Sequence, residues 1–470
     1  MKLQLPILFI SLCSLLPSGA ALAANSSPPN ILVILADDLG YGDLSCHGGK
    51  IPTPHIDSIA RNGMSFMEGY VTAPQCAPSR AGLLTGRYQQ KFGFECNFDA
   101  PKGHGEPLPG TGLPAGEKTM ADFLRAAGYH TGAVGKWHLG DEPQFHPLQR
   151  GFDEFFGFLW GSSHYMRPEG APIPNLIRNN EPVRITSYLT DVLGGEASAF
   201  IERNRERPWF LYLAFNAPHT PLEATQNYLD RFPEIADPQA RTYAAMVSAL
   251  DDAVGRTLQT LKDLHLDGQT VIVFLSDNGA PIFVTRSASN GPLRGEKGDV
   301  LEGGVRVPFF VQWSGHIPAG VKIQSPVSTL DLLPSFLEMA GKPVPPDANL
   351  DGLSLLPTLK TGKEPQDDRA IFWLLRLGRN KALHSWGIRQ GPWKFWRGPL
   401  RAEDGKQFFD EANSPKSGVF NIPNDIHEDH DLSRTEPEKR RELEAKLGEW
   451  MQTIQPPRWG DSMDAPPPLP

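Results

Sequence analysis

Apolar residues along this chain come in two textures, and each predicts a different element. Residues 31–36, ILVILA, are apolar without interruption. The same texture recurs at 209–215 (WFLYLAF) and 271–275 (VIVFL), with a shorter run at 131–134 (TGAV). Uninterrupted runs fit strands buried on both faces, as in a parallel sheet, whereas half-exposed strands alternate. Between them lie helical patterns over 119–127, 188–203 and 239–263. The alternation predicts an α/β fold: a large mixed, mostly parallel sheet flanked by helices. Around 340–370 the chain becomes rich in Pro, Gly and Asp and reads as a domain connection. Beyond it, short aromatic strands are predicted at 369–375 (RAIFWLL), within 386–397 (WGIRQGPWKFWR) and at 406–410 (KQFFD). A charged helix is predicted over 436–453, with Leu443, Leu447 and Trp450 at helical spacing. The expected division is a main domain over 24–365, a smaller C-terminal antiparallel sheet plus helix over 366–455, and a loose Pro-rich tail over 456–470.

The first 23 residues lie outside this fold. Lys2, the apolar stretch LPILFISLCSLLP and the small-residue site Ala21-Leu22-Ala23 have the pattern of a secretory signal. That stretch is too short to span a bilayer, and no later segment holds ~18 consecutive apolar residues, so no membrane anchor is expected. The mature chain is expected to be exported, periplasmic or secreted. The full chain's net charge of −9 with interspersed signs gives no support for binding nucleic acid or a membrane surface. An anionic substrate would need a local basic pocket. Without Cys13 three cysteines remain, Cys46, Cys76 and Cys96, so at least one is unpaired in an oxidising compartment. Sequence alone does not decide whether Cys46 and Cys96 pair, and no spacing suggests zinc.

The residues just past each strand are more informative. The first run ends in Asp37-Asp38-Leu39-Gly40, the second in Gly135-Lys136-Trp137-His138, the third in Asn216-Ala217-Pro218-His219 and the fourth in Ser276-Asp277-Asn278-Gly279. In open α/β sheets ligands bind outside the carboxyl ends of strands, so these polar groups are expected on one edge. Asp, Asn and Gly end many strands simply as turn formers. The adjacent carboxylates Asp37 and Asp38 argue for more, because they repel unless a cation neutralises them. Asp37, Asp38, Asp277 and Asn278 offer only oxygen ligands, a set suited to Ca²⁺ or Mg²⁺.

Cys76 opens CAPSRAGLLTGR, a predicted helix with Pro78 in its first turn and a stop at Gly86. A helix N-terminus favours anions, and Arg80, one turn on, adds bidentate donors for an oxyanion. From these residues alone Cys76 reads as a core residue, half of a disulfide, a metal ligand or the precursor of a catalytic group.

The segment Cys76-Ala-Pro-Ser-Arg80, with Leu84-Thr85-Gly86-Arg87 after it, resembles the signature of the type I sulfatases, formylglycine-dependent members of the alkaline phosphatase superfamily. NILVILADDLGYGDLSCHGG, GYHTGAVGKWHLG, APHTP, FLSDNGA and GEKGDVLEGGVRVPFF occur in the family's order, over essentially the whole mature chain. KWHLGDEPQFHPLQRGFDEFFGF is similar to the arylsulfatase A and N-acetylgalactosamine-6-sulfatase branch. The resemblance implies an alkaline phosphatase-like fold and a Cys76 converted to formylglycine by a formylglycine-generating or anaerobic sulfatase-maturating enzyme. It implies one Ca²⁺ on Asp37, Asp38, Asp277, Asn278 and the modified Cys76. Arg80 would hold the formylglycine and the sulfate, Lys136 and His138 would act on the nucleophile side, and His219 and Lys297 would face the leaving oxygen. The expected activity is hydrolysis of a sulfate ester, with a sulfated carbohydrate as substrate by analogy. A phosphonate monoester or phosphodiester hydrolase of the same superfamily is the alternative. A glycan-binding protein with unmodified Cys76 is disfavoured, since binding needs none of Lys136, His138, His219 and Lys297. His146 and His164, after the Lys-Trp-His strand, are candidates for substrate binding ahead of His104 and His384. Trp373, Trp386, Trp393 and Trp396 are read as core packing of the small sheet rather than sugar platforms.

Overall fold

A computed structural model describes residues 28–98, 110–365, 368–376, 384–398 and 416–459. The signal sequence, His104 and the strand expected at 406–410 therefore lie outside the described residues. The strands, in chain order, are β1 (Asn30–Ala36), β2 (Met64–Phe66), β3 (Gly69–Tyr70), β4 (His130–Lys136), β5 (Glu154–Phe158), β6 (Ile177–Arg178), β7 (Glu181–Pro182), β8 (Trp209–Ala214), β9 (Thr270–Ser276), β10 (Phe309–Gln312), β11 (Val321–Ile323), β12 (Val327–Ser328), β13 (Ala370–Arg376), β14 (His384–Gln390), β15 (Trp393–Gly398) and β16 (Lys416–Asn421). Ten of them form one sheet in the order β11-β2-β10-β9-β1-β8-β4-β5-β6-β7, while β12 pairs with β3 separately. The central strands β9, β1, β8, β4 and β5 are parallel. β10 runs antiparallel to β9, as β6 does to β5. This is the large mixed, mostly parallel sheet that the chain pattern predicts.

The four apolar runs are β1, β4, β8 and β9, and they are neighbours at the sheet's centre. Their lack of alternation has a direct cause. Leu32 and Ile34 of β1 pack into the core under the helices Leu189–Asn204 and Pro238–Asp263. Ile31, Val33 and Leu35 pack into the opposite core, with the helices Cys76–Thr85, Met120–Ala126 and Leu332–Met339. All five side chains are fully buried, so neither face tolerates polar residues.

The C-terminal sheet is the antiparallel meander β13-β14-β15-β16, backed by the helix Pro437–Met451. Residues 386–397 hold parts of two strands turned at Gly391-Pro392. The described fourth strand is Lys416–Asn421, where the chain pattern predicts none. Trp373, Trp386 and Trp396 are buried in its packing, and Trp373 Nε1 donates to Val71 O at 2.7 Å. The tail is not loose at its start: Trp459 is buried against Phe94 and Phe98, and its Nε1 donates to Cys96 O. No disulfide joins Cys46, Cys76 and Cys96 to one another. Among the described residues no helix is long and apolar enough to cross a membrane.

Candidate active site

Because β9, β1, β8 and β4 are parallel neighbours, their carboxyl ends fall on one edge, and the turns after them converge. Asp38 and His138 leave their strands at φ 63° and 57°, the left-handed region that residues other than glycine enter at a cost. The helix Cys76–Thr85 points its N-terminus into the same place. Gln75 is its N-cap, Gly86 ends it at φ 63°, and Asn97 Oδ1 accepts from the Ala77 N–H at 3.0 Å.

Asp37, Asp38, Asp277 and Asn278 are buried together. Asn278 Nδ2 donates to Asp38 Oδ1 at 2.7 Å, and the Asp38 N–H donates to Asp277 Oδ1 at 3.1 Å. Cys76 Sγ lies 3.5 Å from Asp37 Oδ1 and 3.9 Å from Asp38 Oδ1. One ligand atom each from Asp37, Asp38, Cys76 and His219 falls within 4.8 Å of the others. Asn278 Oδ1 is buried without a hydrogen-bond partner. An orphaned carbonyl oxygen among three carboxylates fits a hard divalent cation, since every donor beyond the sulfur and the imidazole is oxygen.

Three cations answer the three carboxylates. Arg80 is completely buried and donates from Nε and Nη2 to Asp277 Oδ2 at 2.9 and 2.8 Å, and from Nη1 to Lys136 O at 3.0 Å. Lys136 Nζ donates to Asp37 Oδ2 at 2.6 Å. Lys297 Nζ stands 2.7 Å from Asp38 Oδ1 and 3.1 Å from Cys76 Sγ. Burial opposes ionisation of Asp38, yet Lys297, His219 and Lys136 hold its carboxyl well below the usual range. Burial likewise works against a thiolate at Cys76, and Lys136 and Lys297 overcome it, drawing the thiol well below its ordinary value. Burial and the neighbouring Asp37 push Asp277 upward.

His219 sits at the rim, with Nδ1 2.6 Å from Thr220 O and Nε2 3.5 Å from Asp38 Oδ2. Burial disfavours its imidazolium, but Asp37 and Asp38 outweigh that and raise its pKa. Its backbone is fixed by Tyr165, whose hydroxyl lies 2.6 Å from Asn216 O and 2.8 Å from His219 O. His138 is buried two residues past Lys136, its ring 5.4 Å from that of Phe98.

The other histidines divide. His164 Nδ1 pairs with Glu223 Oε1 at 2.7 Å, on a loop tied to the His219 turn by the Asn216 Nδ2 bond to Ser163 O. His146 is mostly buried and serves its own loop, where Nδ1 accepts from Leu148 N at 3.2 Å and the ring meets Phe155 edge-on. His384 begins β14 opposite Arg376, inside the C-terminal sheet. Tyr165, Glu223 and Asn97 support the site although no sequence pattern marks them. So does Asp43, whose carboxylate takes Tyr243 OH at 2.5 Å, Gly40 N at 2.9 Å and Ser289 N at 2.8 Å. Lone polar residues in loops carry no pattern that would distinguish them.

A ten-stranded sheet with buried carboxylates, fixed cations and a helix-borne cysteine on one edge defines a class, and comparison with known proteins specifies it. The Sulfatase family model matches residues 29–342, and the model described as N-sulphoglucosamine sulphohydrolase, C-terminal, matches 296–444. The chain belongs to the sulfatase family, in its type I branch, and is an enzyme that hydrolyses sulfate esters. Human N-acetylgalactosamine-6-sulfatase is 36% identical over 436 residues, covering 88% of this chain and 80% of that one. Human arylsulfatase A is 36% identical over 393 residues, covering 76% and 73%. The crystal structure of Ps i-CgsB in complex with k-i-k-neocarrahexaose superposes with a TM-score of 0.82 at 37% identity, covering 93% of this chain and 95% of that one.

Proposed function

We propose that this chain is an exported, Ca²⁺-dependent sulfatase that removes sulfate from a carbohydrate, using formylglycine made from Cys76. A polysaccharide or glycosaminoglycan fragment is the favoured substrate class, because a sulfated galactosamine and a carrageenan oligosaccharide figure in the names of two similar proteins. One water is consumed, the ester S–O bond is cleaved, and an alcohol and inorganic sulfate are the products. The observation that carries the reading is the position of Cys76 Sγ, at once 3.5 Å from Asp37, 3.9 Å from Asp38 and 3.1 Å from Lys297 Nζ.

Asp37, Asp38, Asp277 and Asn278 would hold the cation together with residue 76. The cation would supply Lewis acidity at the sulfuryl group, and the hydrated aldehyde a nucleophile with a route for releasing sulfate that a thiol lacks. The protein's own groups do the rest. Arg80, Lys136 and Lys297 cancel the three carboxylates, so a divalent cation leaves the centre net positive and complementary to a sulfate monoester. Arg80 is locked by three hydrogen bonds and therefore pre-organised. His219, its pKa raised by Asp37 and Asp38, donates a proton from Nε2 to the departing oxygen. His138 removes a proton on the nucleophile side. His164, oriented by Glu223 at the rim, meets the sugar, whereas His146 is spent on its own loop.

The test is sulfate release from a panel of position-defined sulfated saccharides, by protein co-produced with a formylglycine-generating enzyme. Conversion of Cys76 is checked by mass spectrometry, phosphodiesters are assayed alongside, and Cys76→Ala serves as the blank. Sulfate from one sugar position, absent in the blank, supports the reading. Turnover of phosphodiesters alone would sink it in favour of the phosphoryl alternative.

A further inference from the structure

The largest set of buried charges that the chemistry does not use lies between the catalytic domain and the C-terminal sheet. Glu68, Glu302 and Glu428 meet Arg306, Arg389 and Lys394 there, all buried. Lys394 Nζ, on β15, lies 2.8 Å from Glu302 Oε1 and 3.1 Å from Glu428 Oε1. Glu302 Oε2 accepts from Tyr70 OH at 2.8 Å and from Arg306 Nη1 at 3.2 Å. Arg389, on β14, donates to Glu68 Oε2 at 2.6 Å. Burial disfavours a charged Glu302, but Lys394, Arg306 and Arg389 hold its carboxyl down at about 2. Buried ion sets seldom add stability over apolar packing of the same shape, so their use points to the fixing of one arrangement.

The element so fixed is the short helical turn Glu302–Val305. Its first N–H, at Glu302, donates to Glu428 Oε2 at 2.8 Å, and Arg294 Nη1 donates to Glu428 O at 2.9 Å. Gly303 N donates to Arg294 O at 2.6 Å. A Cβ at Gly303 would stand 2.2 Å from Gly295 O, and one at Gly304 would stand 2.0 Å from Asp299 O. The turn is thus in backbone contact with the loop 294–299 that carries Lys297. That loop is held at its far side by the Gly298 N–H bond to Pro74 O at 2.8 Å, just ahead of Cys76. Contact this close leaves little room for Glu302 to move without moving Lys297.

We infer that Lys394 is a positioning residue, through which the C-terminal sheet sets Glu302 and so the place of Lys297 beside the nucleophile. The inference rests on the reading of Lys297 as part of the reaction centre. It makes the C-terminal sheet a component of the active site rather than an appended module.

A double-mutant cycle on the full matured chain tests it, with kcat and KM for an aryl sulfate and thermal unfolding measured on each variant. Lys394→Met keeps the side chain's length and removes its charge. Displacement of a catalytic group by about 1 Å costs up to ~100-fold, so kcat is expected to fall at least ~10-fold with KM little changed. In the Lys297→Ala background the same substitution should cost less than about twofold, because residues that act as a unit are not additive. An equal loss in both backgrounds, or an unchanged kcat for Lys394→Met, overturns the inference. Parental activity in Lys297→Ala would instead overturn the catalytic reading of Lys297. Should Lys394→Met fail to fold, the isosteric Glu302→Gln takes its place in the cycle with the same two expectations.

Discussion

Arg80 shows how much one side chain can settle. Its guanidinium is wholly enclosed, with two nitrogens on Asp277 Oδ2 and a third on a backbone carbonyl. A lysine keeps the charge but not the fork, and its single ammonium cannot reach both partners. Arg80→Lys should therefore lower kcat by at least ~100-fold and lower Tm as well, since losing the buried guanidinium bonds costs on the order of 3 kcal/mol. Activity within tenfold of the parent would show that charge alone suffices. Glu95 makes a prediction away from the reaction centre. It is buried with Arg376, Nε to Oε2 at 3.1 Å, and burial pushes its carboxyl up to about 8 against the pull of Arg376. An acid raised on folding is protonated in the native state where the unfolded chain has already ionised. Its contribution is therefore complete below the ordinary carboxylate range and is lost as pH rises from about 4.5 to about 8. Glu95→Gln has no such titration. The Tm of the variant relative to the parent should climb by several degrees between pH 5 and pH 8. A difference that stays constant with pH would mean that Glu95 is ionised throughout.

At the scale of elements, β1, β4, β8 and β9 are legible because both their faces are buried and their apolar runs are uninterrupted, and β13, β14 and β15 because aromatic residues mark them. β5 and β10 are not legible as strands: both are short, β5 is interrupted by Gly157, and β10 follows directly on Pro308. Residues 386–397 read as one segment because the two-residue turn at Gly391-Pro392 leaves no polar gap between β14 and β15. The site is legible where chemistry sits at strand ends, as with Asp37, Lys136, His219 and Asp277. Lys297 lies in a loop without periodicity, and only its motif locates it. The Glu302–Lys394 and Glu68–Arg389 pairs are illegible for another reason: their members lie 92 and 321 positions apart, and nothing local marks them. Glycines give this scale its own test. Gly135 precedes Lys136 at φ 109°, and a Cβ there would stand 1.8 Å from Ala214 O on β8. Gly135→Ala should cost ~2–3 kcal/mol and much of the activity, by pushing β4 off β8. Gly195, within the helix Leu189–Asn204, has open space for a Cβ. Gly195→Ala should instead raise stability by roughly 0.5–1 kcal/mol, as expected inside a helix. Urea unfolding of both variants decides; equal effects would contradict the backbone packing described.

For the molecule as a whole, the balance of charge at the candidate site would link binding of the proposed cation to stability. The chain carries a net −9, yet the centre itself sets Asp37, Asp38 and Asp277 against Arg80, Lys136 and Lys297 at hydrogen-bond distance. Lys297 reaches Asp38 and Cys76 together, which accounts for much of the downward shift of both groups. A divalent cation would compete with these ammonium groups for carboxylate oxygen while gaining the unpartnered Asn278 Oδ1. Anything bound by the folded but not the unfolded chain stabilises it, by about 2.7 kcal/mol at a hundredfold excess over Kd. For a chain of this length that is a rise of a few degrees in Tm. Ca²⁺ added to chelator-treated protein should produce such a rise, and Mg²⁺ a smaller one, because Mg²⁺ demands stricter octahedral geometry and dehydrates reluctantly. The rise should vanish in Asp277→Ala, which removes a proposed ligand and also the partner of Arg80. Asn278→Ala removes the orphaned oxygen without touching the Arg80–Asp277 pair. Because it also deletes the Nδ2 bonds to Asp38 Oδ1 and Gly279 O, its Tm in chelator should fall too. The readout is a Ca²⁺-induced rise, measured from that lower baseline, smaller than the parent's. A Ca²⁺ response unchanged in Asn278→Ala would place the cation elsewhere. No response in the parent would mean that the three fixed cations alone neutralise the site.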